Sequence, residues 1–298
     1  MSVIEELQTA VSAVSSKVGP SVVGIGARLR GSGVIVADGK VLTNAHNIRA
    51  DEVTITFADG RSTRGRVAGV DVDGDLAVVN VETAGAAPLE WADGAAVTPG
   101  TVVFGVAASS GGTPRVTFGT VSAVARAFRG PGGRRIAGSV EHTAPLAPGS
   151  SGGPIVDSDG RVLGINTNRI GEGFYLALPA EASLRDRVDA LGRGESASRL
   201  RLGVAVAPSH VARRLRASVG LTDRDGLLVR GVEDGSLAAK AGIREGDLIV
   251  EAAGKPVVDA DDLFDALGSA SVPFEIRLVR GNDERTVSVG GTEATGEA

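Results

Sequence analysis

No cysteine occurs in the 298 residues, which removes a disulfide framework, thiolate zinc sites and a cysteine nucleophile together. Only three histidines are present, His46, His142 and His210, too scattered along the chain to suggest a histidine-rich metal site. Aromatic residues amount to 3%, and there is a single Met, so any core must be filled with Val, Ile, Leu and Ala. No run approaches the ~18 consecutive apolar residues of a membrane helix. Positive charge is not in excess either: 36 acidic against 31 basic residues give a net charge of -5, no electrostatic footprint for nucleic acid. Residues 1–19, MSVIEELQTAVSAVSSKVG, have neither a basic leader nor an unbroken apolar stretch and do not read as a signal peptide. Taken as a native start, they imply a cytoplasmic protein; a periplasmic or cell-envelope location is the alternative if an anchor has been removed.

Glycine is what the chain has in plenty: 43 residues, about twice the usual share of ~7%. With so few aromatics, this points to many turns and short strands. The length is close to twice that of a typical domain of ~150 residues, so two cores are expected. In 1–19, Ile4, Leu7, Val11, Val14 and Val18 recur at helical spacing, and Gly19-Pro20 stops the pattern. Either docking on the core or a role in oligomerisation would account for that stripe.

From 20 to 191 the pattern becomes β-type. Val53, Ile55 and Phe57 alternate with Thr54 and Thr56, and Asp38-Gly39, Asp59-Gly60 and Asp159-Gly160 sit between apolar runs as two-residue hairpin turns would. This half reads as an antiparallel barrel or sandwich, closed by a helix over 179–191. Residues 126–138, rich in Gly and Arg, read as an exposed, mobile loop. Residues 192–198 are a small, polar linker. A second small domain of strands and two short helical segments fills 199–291, before a tail over 292–298.

The segment Pro148-Gly149-Ser150-Ser151-Gly152-Gly153-Pro154 is the sharpest chemical signal. A serine hydroxyl becomes a nucleophile only when a base takes its proton and fixed donors meet the oxyanion. Glycines on both sides of Ser151 allow a tight turn that presents the hydroxyl and aims the Gly149 and Ser151 amides at one point. A base is available at His46, after the apolar run Val41-Leu42, and an acid at Asp75, just before Leu76-Ala77-Val78-Val79. Each has an ordinary structural explanation alone. Together they follow the order His, Asp, Ser at strand edges, as in chymotrypsin-like proteases. A nucleotide site suggested by Gly24-Ile25-Gly26 fails for want of a third Gly and a following helix.

The chain resembles the HtrA (DegP/DegS-like) serine proteases, a trypsin-like domain followed by a PDZ domain. The strings that carry the likeness are Gly31-Ser32-Gly33-Val34-Ile35, Leu42-Thr43-Asn44-Ala45-His46, Asp75-Leu76-Ala77-Val78, Ser151-Gly152-Gly153-Pro154 and Gly164-Ile165-Asn166-Thr167. In the second domain they are Ala238-Ala239-Lys240-Ala241-Gly242-Ile243, Gly246-Asp247-Leu248-Ile249 and Gly254-Lys255-Pro256-Val257. The resemblance implies a mainly β architecture, a chymotrypsin/trypsin-like double β-barrel followed by a small α+β PDZ domain. It also implies a triad of Ser151, His46 and Asp75, with no metal or cofactor. Leu202, Gly203 and Val204 stand where the family binds a peptide carboxylate, and the helix near Leu263 to Leu267 would line the side-chain pocket.

Two departures stand out. Ser150 replaces the family's usual Asn, and His142-Thr143 stands where Thr-Asp is usual. The turn between the first two strands, near Ala27 to Ser32, leaves no room for the family's long loop. Pro145, six residues before Ser151, is placed by the resemblance at the floor of the specificity pocket; with no acid there, small or medium aliphatic side chains are expected before the scissile bond.

The activity implied is ATP-independent endoproteolysis of unfolded or misfolded polypeptides. C-terminal peptides would bind the PDZ domain, and a homo-oligomer, a trimer by family likeness, is expected. The alternative is a chaperone or peptide-binding scaffold that rests inactive, gated by its activation loop.

Overall fold

A computed structural model describes residues 2–83, 85–92, 97–130, 135–195 and 200–290. The chain forms two compact units, Met1–Ala197 and Ser198–Ala298. The expected tail and residues 196–198 of the expected linker lie outside the described residues; Gly192 ends a helix.

The first unit opens with α1 (Val3–Val18), capped by a reciprocal pair in which the Ser2 hydroxyl takes the Glu5 amide and the Glu5 carboxylate takes the Ser2 amide. Val14 and Val18 are buried, while Ile4 is 78% exposed and Leu7 37%. Only the C-terminal half of the apolar stripe is therefore docked.

Six strands follow: β1 (Val22–Ile25), β2 (Gly31–Ala37), β3 (Lys40–Thr43), β4 (Glu52–Thr56), β5 (Ser62–Asp71) and β6 (Leu76–Asn80). They close a barrel in the order β1-β2-β3-β6-β5-β4. A second set, β7 (Val102–Ala107), β8 (Arg115–Arg129), β9 (Arg135–His142), β10 (Pro154–Val156), β11 (Val162–Arg169) and β12 (Tyr175–Pro179), closes another, β10-β11-β12-β9-β8-β7. The double barrel of the trypsin-like fold is thus present.

Each barrel has its own aliphatic filling, Val23, Ile35 and Ile55 in the first and Val103, Ile155 and Leu163 in the second. A third cluster joins them, with Val34, Leu42 and Leu76 packed alongside Phe104, Val156 and Ile165. Helix α2 (Ala182–Gly192) adds Leu184, Val188 and Leu191 to it. Pro179 ends β12 and does not begin this helix. Its fixed φ suits either position, and Pro179 pairs with Gly164 across the ladder.

Two local expectations are corrected. Only Asp38-Gly39 forms a two-residue turn; at Asp59-Gly60 and Asp159-Gly160 the loop has three residues, closed by Phe57 N–H to Arg61 O and Asp157 N–H to Arg161 O, both pairs within 2.8–3.0 Å. The stretch 126–138 is largely strand: β8 and β9 continue pairing to Arg129 and Arg135 through three register shifts, and only 131–134 lie outside the described residues.

In the second unit, β13 (Val204–Ala207), β14 (Leu227–Val232), β15 (Leu248–Ala252), β17 (Phe274–Arg280) and β18 (Asp283–Val289) form a sheet in that order, with β16 (Lys255–Pro256) paired to β15. Three helices accompany it, α3 (Ser209–Ser218), α4 (Leu237–Lys240) and α5 (Ala260–Ser269), one more than expected. The strongly basic α3 buries little beyond Ala212 and Arg216. Asp247 is wholly buried, and its carboxylate takes Arg280 Nε at 2.7 Å, Arg280 Nη2 at 2.8 Å and the Arg244 amide at 2.8 Å.

Removing one partner of a buried pair leaves the other uncompensated. Arg280→Ala is expected to lower the stability of the second unit by about 3 kcal/mol. Amide exchange in β15 and β17 should accelerate while the unfolding transition of Trp91, in the first unit, stays in place. Unchanged exchange would refute the role given to this pair.

Candidate active site

Asp75 lies in the turn between β5 and β6 with φ +54°, a left-handed conformation that Asp tolerates better than most residues. The turn is pinned from two sides. Asp71 Oδ1 accepts the Gly74 amide at 2.9 Å, and its Oδ2 pairs with Arg187 of α2 at 2.5 Å. The Asp75 carboxylate is fully buried, and every contact it makes is a donor: His46 Nδ1 lies 2.9 Å from both oxygens, the His46 amide donates at 3.1 Å, and the Thr167 hydroxyl donates at 2.6 Å. His46 follows β3 in a single 3-10 turn, Ala45–Asn47, and its side chain is partly exposed. Asn44 completes the frame by donating to Asp75 O at 2.9 Å.

Ser151 precedes β10 on the second barrel. Its carbonyl accepts the Ser32 amide at 2.8 Å and Asn47 Nδ2 at 3.0 Å, both from the first barrel. Ser32 Oγ donates to Gly149 O at 2.8 Å. At Gly152, φ is +89° and a Cβ would stand 2.1 Å from Ser32 O, so only glycine lets the turn approach this closely. Gly149, at φ +88°, opens the turn on the other side. Among the described residues neither the Gly149 nor the Ser151 amide donates to a protein acceptor. The Ser151 hydroxyl donates to Thr167 O at 3.2 Å, not to His46.

A cavity of about 460 Å³ joins these groups. Besides His46, Asp75 and Gly149–Ser151, it is lined by Leu146, Ala147, Asn166, Asn168 and Tyr175, with Phe128 and Arg129 reaching in from the β8–β9 hairpin. Pro145 does not line it. Pro145 lines a neighbouring cavity of about 300 Å³ with Gly105, Arg115 and Thr117, and Leu146, Ala147 and Ser150 line both cavities. Leu146 and Tyr175, not Pro145, line the cavity that holds Ser151.

Three contributors escaped the sequence reading. Ser32 and Asn47 anchor the turn that carries Ser151, and Thr167 holds Asp75. The one local hint is Ser32 itself, a hydroxyl inside an otherwise apolar strand. In the second unit, Gly203 has φ +80° and a Cβ there would meet the Ser236 side chain at 2.3 Å; Leu202 O accepts the Ala238 amide, and β13, which begins at Val204, is an edge strand. Leu263 and Leu267 of α5 pack in the same core as Leu202 and Val204.

Among the described residues no cluster of three or more His, Asp or Glu could hold a metal. No described helix is long and apolar enough to cross a membrane.

A double barrel with a buried Asp bonded to a His, beside a serine turn, defines the trypsin-like peptidase class. Residues 31–165 match the trypsin-like peptidase domain, and residues 228–280 match a PDZ domain. The putative serine protease HhoA of Synechocystis sp. is 31% identical over 280 residues, covering 87% of this chain and 70% of its own. A probable periplasmic serine endoprotease, DegP-like, of Halomonas elongata is 31% identical over 272 residues, 88% of this chain and 56% of its own. Among solved structures, the HtrA-type protease AlgW with tripeptide matches at a TM-score of 0.67 and 25% identity, covering 96% of this chain and 99% of that one. The chain belongs to the HtrA family, and it spans little more than half the length of several curated relatives.

His142 is held far from its ordinary range. Burial pushes its imidazole down to about 4, partly offset by the hydrogen bond to Asn166. Between pH 6.5 and 4 the unfolded chain therefore binds a proton that the folded chain refuses, so stability falls as the pH drops through that window and loses nothing more below it. The loss expected is on the order of 3 kcal/mol. His142→Gln should remove that part of the pH dependence in urea unfolding at pH 7, 5 and 4; an unchanged slope would contradict it.

Proposed function

We propose that this protein is a serine endopeptidase that cleaves unfolded or misfolded polypeptides without ATP, as part of protein quality control. The observation that carries this reading is the buried Asp75 carboxylate, which holds His46 Nδ1 at 2.9 Å in a cavity whose wall also carries Ser151.

In the reaction, Ser151 Oγ leaves Thr167 O, gives its proton to His46 Nε2 and attacks the scissile carbonyl carbon. Asp75 keeps the imidazole in the right tautomer and supports the imidazolium. The carbonyl oxygen, now an oxyanion, takes the amides of Gly149 and Ser151, each worth about 3 kcal/mol in comparable sites. Collapse breaks the C–N bond as His46 returns the proton to the leaving amine. Water then repeats the sequence on the acyl-enzyme and frees Ser151.

The cavity supports a preference for small or medium aliphatic side chains before the scissile bond. Leu146, Ala147 and Tyr175 give it apolar walls, and its one acid, Asp75, is already taken by His46, so Lys or Arg would find no counter-charge. The open edge of β13 beside Leu202-Gly203-Val204 suits a peptide that adds a strand and ends its carboxylate at those amides. Assembly of several copies is expected from the family. The relatives called periplasmic favour the cell envelope over the cytoplasm for this chain.

Covalent labelling by a fluorophosphonate is expected in the wild type and absent in Ser151→Ala. Asp75→Asn should lower kcat by about 10⁴-fold with little change in KM. No labelling of the wild type, with or without a C-terminal peptide, would favour the inactive scaffold. Cleavage of a reduced, alkylated protein should map after Val, Ala or Leu; cuts chiefly after Lys or Arg would refute the pocket reading.

A further inference from the structure

His142 takes part in no step above, yet it lies directly behind the substrate cavity. It sits at the end of β9, fully buried, opposite Tyr175 of β12 in the ladder, with ring centroids 5.8 Å apart at 28°. Its Nε2 is 2.9 Å from Asn166 Oδ1. An amide oxygen only accepts, so Nε2 carries the proton and Nδ1 is left as a bare lone pair, which has no partner among the described residues. Asn166 Nδ2 donates in turn to Pro154 O at 3.3 Å, so the side chain is gripped at both ends.

Such a residue is a poor choice for stability. A buried acceptor without a partner is costly, and an apolar ring of similar size would avoid the cost. What His142 supplies is a donor at one place. Asn166 and Tyr175 both line the cavity beside Ser151. The Asn166 backbone also clamps the nucleophile turn, its carbonyl accepting the Gly152 amide at 2.7 Å and its amide donating to Gly153 O at 2.9 Å. The next residue, Thr167, holds Asp75 with its hydroxyl and Ser151 with its carbonyl.

We propose that His142 is a positioning and specificity-determining residue. By donating to Asn166 and backing Tyr175, it fixes the wall and base of the substrate cavity and, through β11, the placement of Ser151 against Asp75. The assignment rests on the serine-protease reading above. Without the Nε2 donor, Asn166 Oδ1 can reach water only by turning into the cavity, which makes the pocket shallower and more polar. Apolar side chains before the scissile bond are then the ones that suffer.

The test compares His142→Phe, which keeps a ring against Tyr175 but lacks the donor, with His142→Gln, whose amide N–H reaches where Nε2 stands. Both are made in the full chain, with fluorogenic peptides carrying Val or Gln before the scissile bond. His142→Phe should lower kcat/KM for the Val peptide about tenfold or more, mainly in kcat, with the fluorophosphonate labelling rate falling in parallel. The ratio of Val to Gln cleavage should drop as well. His142→Gln should stay within about threefold of wild type on both counts. Should His142→Phe fail to fold, His142→Thr, too short to reach Asn166, makes the same comparison.

The proposal is overturned if the donor-less variant, folded by Trp91 fluorescence, matches the wild type in rate and selectivity, or if His142→Gln loses as much as His142→Phe. A wild type that neither labels nor cleaves would overturn the protease reading, and this assignment with it.

Discussion

A buried carboxylate needs donors, and the Asp75 side chain draws them from two barrels at once. His46 provides a ring nitrogen and a backbone amide from the first barrel, and Thr167 provides a hydroxyl from the second. Leaving any of these unmade would strand charge on a buried carboxylate, at a cost of several kcal/mol. The barrels are therefore locked in the one arrangement that satisfies Asp75. The turn that presents it is fixed in advance, by the Asp71 side chain on the Gly74 amide and by Arg187 on Asp71. Helix α2, which follows the second barrel in sequence but packs on β5 and β6 of the first, thus contributes to the site without approaching it.

The proposed nucleophile obeys the same logic from the opposite side. Ser151 belongs to the second barrel, yet its carbonyl is held by Ser32 and Asn47 of the first. Thr43 Oγ1 donates to Ser32 O at 2.6 Å and accepts from Asn47 Nδ2 at 3.0 Å, so the anchoring groups anchor one another. This polar seam runs beside an aliphatic cluster shared by both barrels, where Val34, Leu42 and Leu76 meet Val156 and Ile165. The apolar contact supplies attraction without direction. The seam supplies register.

The proposed triad stood out in the sequence because each member sits next to a local signal: a strand before His46, a turn before Asp75, and glycines around Ser151. The double barrel came from the family strings, since hairpin turns and alternation by themselves left barrel and sandwich open. The supporting residues were not legible, because their partners are remote: Thr167 meets Asp75 across 92 positions and Ser32 meets Gly149 across 117. Counting back from Ser151 gave Pro145, which lines the cavity next to the one that holds Ser151, with Leu146, Ala147 and Ser150 shared between the two. The Gly- and Arg-rich hairpin read as loop. Its residues have weak strand propensity, and the β8–β9 ladder overrides it with bulges that absorb the mismatch. Basic helix α3 escaped notice because it offers so narrow an apolar face.

Three buried orphan atoms show what the site asks of its surroundings. Asn44 Oδ1, Asn47 Oδ1 and His142 Nδ1 each lack a partner among the described residues, and each is the acceptor end of a side chain whose donor end is in use. Asn44 donates to Asp75 O, Asn47 to Ser151 O, and His142 to Asn166 Oδ1. The framework consists largely of backbone carbonyls and carboxylate oxygens, so it is short of donors. Asn and His supply them in side chains that also carry an acceptor the framework does not need. Lys or Arg would donate without an orphan acceptor, but would bring a charge into a buried seam beside His46. Uncharged donors with one idle acceptor are the less costly solution, and their idle ends are the stability given up to keep Ser151, His46 and Asp75 in place.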